Sequence, residues 1–197
     1  MIAFSLNTFV KICLLDTGGR ISELQKRLTS AGGYDFYKPL HKAIRTYCPG
    51  EPQKVTQILD APVKDIERKY NADAFKYFAS KFGTSKGLEA ITSPKTINFQ
   101  SAGISIRIDP VFELSHSGSR QIYCIWPTHK PQLSQRYGAL ACHLMRRAYS
   151  NTSLGNGSFF FSDFVTGKTY SEKQITNNTN LILMADVTSI GTLIKEL

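Results

Sequence analysis

The pattern of apolar and polar positions divides the chain into two parts. In residues 1–93 the apolar positions recur mostly at steps of three and four, which is typical of helices that bury one face. In residues 94–197 several segments alternate apolar with polar positions or form short apolar runs, which is typical of strands. The sequence therefore predicts an α+β protein, in which an N-terminal helical part (1–93) packs on a small mixed β-sheet core (94–197) as one compact unit.

Five helices are predicted in the first part. Glycine-containing segments at 16–19 and 31–33 separate the first three, and Pro39 either kinks the third or marks its true start. Pro62 opens the fifth and Gly83 is a plausible stop for it. The predicted helices cover residues 4–14, 21–28, 34–47, 53–59 and 63–82.

The second part predicts strands around one strong helix. A half-buried strand at 104–108 is expected to continue past Pro110 to Leu114, and a polar turn at 115–119 leads to a strand at 121–126 that is buried on both faces. The other predictions are an amphipathic helix at 133–149, a connector at 150–158, a hairpin formed by 159–165 and 169–170, a last strand at 181–187 and a short helix in the tail.

The charge of the chain favours an anionic partner. There are 24 Lys and Arg against 15 Asp and Glu, which gives a formal net charge of +9. Residues 1–100 carry +6 of it and residues 101–197 carry +3, so the helical part is the more cationic. A surplus of this size suits a nucleic acid or an anionic surface, although it also serves solubility.

The cysteines and the apolar runs bear on location. None of the four cysteines forms a CxxC pair, and three lie in apolar runs, which favours buried, reduced thiols. The N-terminal segment lacks the basic region and cleavage site of a signal peptide, and no segment approaches the ~20 apolar residues of a membrane helix. We therefore expect a cytoplasmic protein without a membrane partner.

Two carboxylates mark a candidate metal site. Asp109 and Glu113 are four residues apart, so one regular strand would place them on the same face about 13 Å apart. Carboxylates at a strand end, with a lysine from nearby, hold Mg²⁺ and activate water for phosphodiester cleavage. The candidate catalytic residues are thus Asp109, Glu113 and Lys130, with Asp109 as metal ligand. In the alternative interpretation, Asp109 is a turn-forming acid before a proline and Glu113 is a solvent-facing residue of a strand.

The element order resembles the PD-(D/E)xK, or restriction-endonuclease-like, core. The resemblance spans about residues 62–187 and depends on a long helix with Glu67, on Asp109-Pro110 at the start of a hairpin, and on the helix and strands that follow. In that family the second strand supplies an acid, one spacer and a lysine. The matching stretch 123–126 reads Tyr-Cys-Ile-Trp, and the nearest lysine is Lys130. The resemblance therefore implies a degenerate member that binds nucleic acid without a complete catalytic motif.

Basic and aromatic side chains cluster in the third predicted helix. Lys38, Lys42 and Arg45 are spaced by four and three, so one helical face carries all three charges. Such a face can track phosphates while Tyr34, Tyr37 and Tyr47 stack on bases. Basic residues of neighbouring helices, Lys26 and Arg27 among them, extend it; the alternative is a solvated helix face. The predicted nucleic-acid-binding residues are Lys38, His41, Lys42, Arg45, Lys64, Arg68 and Lys69.

These observations lead to one hypothesis and two alternatives. The sequence contains no GxxxxGK[ST] phosphate loop, no GxSxG elbow and no HExxH pair. The leading hypothesis is a non-catalytic nucleic-acid-binding protein that needs no cofactor. The first alternative is a nuclease with a migrated motif, which requires Mg²⁺ and a loop that folds Lys130 back toward the acids. The second is a protein-interaction or assembly module with a protein partner or a second copy.

Overall fold

A computed structural model describes residues 1–29, 35–48 and 50–197, and it confirms the predicted α+β class. These residues contain seven α-helices and eight strands, and the strands form two mixed sheets. In chain order the elements are β1 Ile2–Ser5, α1 Leu6–Leu14, α2 Thr17–Thr29, α3 Lys38–Tyr47, α4 Val55–Asp60, α5 Asp65–Phe82, β2 Leu88–Ala90, β3 Lys95–Phe99, β4 Ile104–Ile108, β5 Phe112–His116, β6 Ser119–Trp126, α6 Gln135–Tyr149, β7 Ser158–Asp163, β8 Thr169–Ser171 and α7 Thr179–Glu196.

The larger sheet has the order β2-β5-β6-β7-β8. β6 and β7 are parallel and α6 connects them, whereas the other neighbours are antiparallel. Phe112, Tyr123 and Phe160 are cross-strand neighbours on β5, β6 and β7, and their rings stack at 4.7 and 5.0 Å between centroids. Cross-strand aromatic pairs of this kind stabilise the register of a sheet.

Both faces of this sheet are covered. α3 and α5 pack on the face of the aromatic stack, and α1, α6 and α7 pack with the opposite face. The strand β6 consequently alternates between two cores: Cys124 and Trp126 point to one, and Tyr123 and Ile125 to the other. The prediction that this strand is buried on both faces is confirmed, because every residue from Ile122 to Trp126 is buried.

The smaller sheet has the order β1-β4-β3, with β1 parallel to β4. The prediction of one helix over 4–14 is therefore wrong at its start, since Phe4 lies in a strand and pairs with Ile106. The chain turns into α1 at Ser5, whose hydroxyl accepts a hydrogen bond from the Thr8 amide at 3.2 Å. That side-chain cap fixes where the strand ends and the helix begins.

A crossover at residues 109–111 separates the two sheets. The prediction that the strand at 104–108 continues through Leu114 is wrong, because β4 ends at Ile108 in one sheet and β5 begins at Phe112 in the other. Pro110 has no amide hydrogen for a ladder, which suits the break. The predicted turn at 115–119 is confirmed, with Ser117 and Gly118 at positive φ as a tight hairpin requires.

The last predicted strand, 181–187, is wrong, because these residues lie inside α7. A short apolar run fits a buried strand or a buried helix equally well by composition. The buried positions of α7 recur at steps of four, three, one, three and one, which is one face of a helix; they are Thr179, Leu183, Asp186, Val187, Ile190 and Gly191.

The predicted helical part contains the other boundary changes. α2 begins at Thr17, within the predicted break, where Asp16 accepts a hydrogen bond from the Gly19 amide at 2.7 Å. α3 begins at Lys38 with Pro39 in its first turn, so Pro39 marks the start of this helix. Tyr34 and the predicted break at 31–33 lie outside the described residues.

Candidate nucleic-acid interface

A cleft of about 920 Å³ lies where the N-terminal helices meet the crossover between the sheets. Residues from the start of α1, from α3 and the segment before it, from the crossover, and from the loop after β6 line it. We call it the basic cleft, because among the described residues seven basic side chains line it against two carboxylates. The basic side chains are Lys11, Arg27, Lys38, Lys42, Arg45, Arg107 and Lys130, and the carboxylates are Asp35 and Asp109.

Most of the predicted site residues lie in this cleft. The face of α3 that carries Lys38, Lys42 and Arg45 forms one wall, together with His41. Asp109 from the crossover and Lys130 from the loop after β6 line the same space. The structure thus brings one candidate metal ligand, the candidate catalytic lysine and four predicted nucleic-acid contacts together.

Three lysines are the available cations of the cleft. Lys38, Lys42 and Lys130 are exposed, and within the described residues they make no hydrogen bond or ion pair with the protein. Lys11 and Arg27 instead both contact Glu23, at 2.9 and 3.3 Å. Ammonium groups without a protein partner can pair with a ligand without first breaking a contact in the fold.

Asp109 is bound by arginines from two elements. Arg45 donates from Nη2 to Oδ1 of Asp109 at 2.7 Å, and Nη2 of Arg107 lies 3.6 Å from Oδ2. The Arg45 guanidinium also donates to the main-chain carbonyls of Ile91 and Pro110, at 2.8 and 2.9 Å. Arg45 therefore ties α3 to the crossover, and its charge already compensates the Asp109 carboxylate.

The side chains beside Asp109 do not complete a ligand set. No group of three or more His, Cys, Asp or Glu side chains within the described ranges is placed to hold a metal ion. The β6 residues Cys124 and Trp126 belong to an apolar core, with relative exposures of 4% and 0%. Burial raises the pKa of the Cys124 thiol well above its usual range, and the Asp109 carboxylate adds to this effect. Cys124 is therefore a protonated core thiol rather than a nucleophile.

His41 is a half-buried histidine that lines the cleft. Its Nε2 is closed to solvent and has no hydrogen-bond partner in the described part of the chain. Burial lowers the pKa of His41 below its ordinary value, with Asp35 and Asp109 opposing this shift and Arg45 adding to it. We therefore expect a neutral imidazole at physiological pH, and the cationic wall at that pH consists of lysine and arginine.

Glu113 does not line the cleft. It lies on β5 opposite Ile122, is buried, and accepts hydrogen bonds from Nε and Nη2 of Arg120 at 3.3 and 2.7 Å. The expectation that Asp109 and Glu113 share one strand is wrong, because the crossover at Pro110 lies between them. Glu67, the helix acid suggested by the resemblance, is buried in α5 and also lies outside the lining of the cleft.

The predicted basic residues of the fifth helix lie apart from the cleft as well. Lys64, Arg68 and Lys69 stand at the start of α5 and do not line it. Arg68 donates to the Pro62 carbonyl at 2.9 Å and pairs with Asp65, so it caps its own helix. The proposed stripe on α3 and its extension on α5 are consequently two separate basic surfaces.

Sequence reasoning missed two basic residues of the cleft. Lys11 is the only charge in the apolar run of α1, and Arg107 is the exposed position of β4, two residues before Asp109. An isolated cation in an apolar element was the available signal for each. Arg27, named as an extension of the basic face, lines the cleft.

The comparisons with known proteins leave the family open. No family model matches the chain, and no curated protein matches it. Among solved structures, one titled "Crystal structure of SSO0001" is similar with a TM-score of 0.33 and 11% identity, over 88% of this chain and 85% of that one. In the part of the chain that the structure describes, no helix has the length and apolarity needed to cross a membrane.

Proposed function

We propose that this chain is a non-catalytic nucleic-acid-binding protein with a degenerate restriction-endonuclease-like core, and that the basic cleft holds the phosphate backbone. The observation that carries the proposal is the excess of cations in the cleft, where Lys38, Lys42 and Lys130 have no partner among the residues that the structure describes. A concave surface of one sign of charge concentrates a polyanion, and each phosphate contact releases counterions.

The surroundings of Asp109 support binding rather than hydrolysis. A divalent cation needs open carboxylate oxygens, but Arg45 donates to one oxygen of Asp109 and Arg107 lies near the other. The stretch 123–126, which the resemblance matches to the family's acid, spacer and lysine, reads Tyr-Cys-Ile-Trp and is buried throughout. Replacing a buried apolar side chain with an unpaired charge there would cost several kcal/mol.

A titration with matched variants tests the proposal. Labelled single- and double-stranded DNA and RNA are titrated at about 150 mM salt and over a salt series, with Mg²⁺ or with a chelator. The triple variant Lys38→Gln, Lys42→Gln, Lys130→Gln is expected to weaken binding strongly. The slope of log K against log[salt] should become shallower by about 2–3, since each lost phosphate contact removes about 0.7–0.9.

The control variant removes the same charge elsewhere. Lys168, Lys173 and Lys195 are exposed and lie outside the cleft lining, so replacing all three with Gln lowers the net charge equally. If both triple variants bind alike, the cleft is not the interface.

The same titration separates the alternatives. Cleavage that requires Mg²⁺ and disappears in Asp109→Ala would favour the nuclease with a migrated motif. No binding of any nucleic acid at micromolar protein, together with a defined oligomer in light scattering, would favour the assembly module.

A further inference from the structure

A row of aromatic rings borders the basic cleft. The Tyr37 and Phe36 ring centroids are 4.9 Å apart, Phe36 and Tyr70 are 6.1 Å apart, and Tyr70 and His129 are 4.5 Å apart. We call these four residues the aromatic row. They come from the segment before α3, from α5 and from the loop after β6, so three separate parts of the fold converge to build it.

Two of the four residues of the row line the cleft. Phe36 and Tyr37 line the cleft at one end, and His129 at the other end stands between Thr128 and Lys130, which also line it. Phe36 and Tyr37 therefore border the same space as Lys38 and Lys130, two lysines without a partner among the described residues, and Tyr70 and His129 continue the row beyond the lining.

The rings of the row are not fully enclosed. Phe36, Tyr37 and Tyr70 are half-buried and His129 is exposed, whereas Phe78 and Phe112 of the neighbouring aromatic core are completely buried. Burial nevertheless raises the pKa of Tyr37 to about 12, so its hydroxyl stays neutral. Rings held by one another and still reachable from solvent are suited to stack on a flat ligand at low entropic cost.

The size of the cleft limits what can enter it. A volume of about 920 Å³ is at the upper end of the range of pockets that enclose a small ligand. One strand with a few nucleotides fits such a space, whereas a duplex is read by elements that protrude into its grooves. In a duplex, moreover, the base faces are stacked on each other, so aromatic side chains gain contact only with unpaired bases.

We infer that the basic cleft takes single-stranded nucleic acid, with phosphates on Lys38, Lys42 and Lys130 and unpaired bases on the aromatic row. The inference rests on the proposed function and adds the class of nucleic acid. The combination of a cationic groove with successive aromatic faces binds single strands with little sequence preference.

Replacing rings without losing apolar volume tests the stacking. The double variant Phe36→Leu, Tyr70→Leu is compared with the unchanged protein on an oligothymidylate of about 16 nucleotides and on a duplex of equal length at about 150 mM salt. We expect the unchanged protein to prefer the single strand, and the double variant to lose about tenfold in affinity for it. Its weak duplex binding should not change.

A third aromatic substitution serves as the control. Phe75 is also half-buried on α5, but its ring contacts Tyr47 and Phe78, at 5.7 and 5.8 Å, and is not part of the aromatic row. Phe75→Leu should cost comparable packing and leave single-strand affinity within about twofold, since no base contact is lost. Circular dichroism of all variants verifies the fold.

The outcomes separate the inference from the proposed function. The inference would be overturned if the protein bound the duplex as tightly as the single strand or more tightly, and if the double variant Phe36→Leu, Tyr70→Leu bound both ligands like the unchanged protein. The proposed function would still stand in that case if the lysine triple variant bound more weakly. Failure of the unchanged protein to bind any nucleic acid would overturn both.

Discussion

Arg45 and Asp109 form the central ion pair of the basic cleft, with Nη2 of Arg45 2.7 Å from Oδ1 of Asp109. Both side chains are about three-quarters buried, and the same guanidinium donates to two main-chain carbonyls. A guanidinium with three defined acceptors is fixed in orientation. The pair therefore joins α3 to the crossover between the sheets, and it places the compensating charge for Asp109 inside the protein.

The first prediction concerns the charge of Asp109. Asp109→Asn removes one of two carboxylates from the lining of the cleft, so we expect nucleic acid to bind several-fold tighter at low salt, even with a chelator present. The free energy of unfolding should fall by about 1–2 kcal/mol, because a charged hydrogen bond becomes a neutral one. Titration and urea denaturation measure the two effects. A metal-ligand role for Asp109 predicts the opposite, a loss of Mg²⁺-dependent binding or cleavage.

The second prediction uses Glu113 as the counterpart. Glu113→Gln removes the same charge from a buried pair with Arg120 outside the cleft. We expect a stability loss of about 1–3 kcal/mol, since Arg120 loses its charged acceptor, and no change in nucleic-acid affinity. Urea denaturation of Glu113→Gln measures the stability loss, and the same nucleic-acid titration that is used for Asp109→Asn measures its affinity. A binding change as large as that of Asp109→Asn would mean that affinity follows total charge and not the cleft.

The elements whose pattern is local were predictable from sequence. The buried run of β6, the extent of α5 and the turn at Ser117-Gly118 all follow from residues next to one another in the chain. The spacing of Lys38, Lys42 and Arg45 likewise placed them on one helical face, and all three line the cleft. Periodicity works in these cases because each element has a single buried face or is buried throughout.

What depends on contacts between distant segments was not predictable. The pairing of Arg45 with Asp109 spans 64 residues, and nothing local to either residue indicates it. Whether the chain passes Pro110 within one sheet or crosses to another depends on β1, which pairs with β4 from the other end of the sequence. Residues 181–187 form a helix that packs against α6 and α2 rather than pairing with another strand. Each error concerns tertiary context, which overrides local preference.

The third prediction tests the contact between α6 and the larger sheet. A Cβ at Gly138 would lie 2.9 Å from the Cβ of Tyr170 and closer still to its ring. Tyr170 is buried and its hydroxyl donates to the Leu133 carbonyl at 3.4 Å, so the ring has little room to move. Gly138→Ala should lower the free energy of unfolding by about 1–3 kcal/mol despite the better helix propensity of alanine.

A second glycine shows whether the loss at Gly138 comes from the overlap. Gly18 lies in the first turn of α2, where an added Cβ would meet only Oδ1 of Asp16 at 3.7 Å. Gly18→Ala should therefore leave stability unchanged or raise it by less than about 1 kcal/mol. Equal effects of the two substitutions in urea denaturation would refute the close packing of α6 on Tyr170.

The last prediction follows from the lowered pKa of His41. Its folded-state pKa lies below the ordinary value of 6.5, so on acidification the unfolded chain binds the proton first. The contribution of His41 to stability is therefore complete above pH 6.5 and is lost as the pH falls from there toward the folded-state pKa. The loss reaches at most about 1.4 kcal/mol per pH unit for a single proton. Urea denaturation at about pH 7.5 and at about pH 5.5, one unit on either side of the ordinary histidine pKa, measures the loss.

The variant His41→Gln isolates that contribution from the carboxylates, which also titrate on acidification. Gln cannot bind a proton in this range, so the variant should lose less stability between the two pH values than the unchanged protein does. Asp35, Arg45 and Asp109, the charged groups around the imidazole, remain present in both proteins. Parallel losses in the two proteins would show that the imidazole protonates equally easily in the folded and unfolded chains, and His41 would then be as accessible to protons as a histidine in solvent.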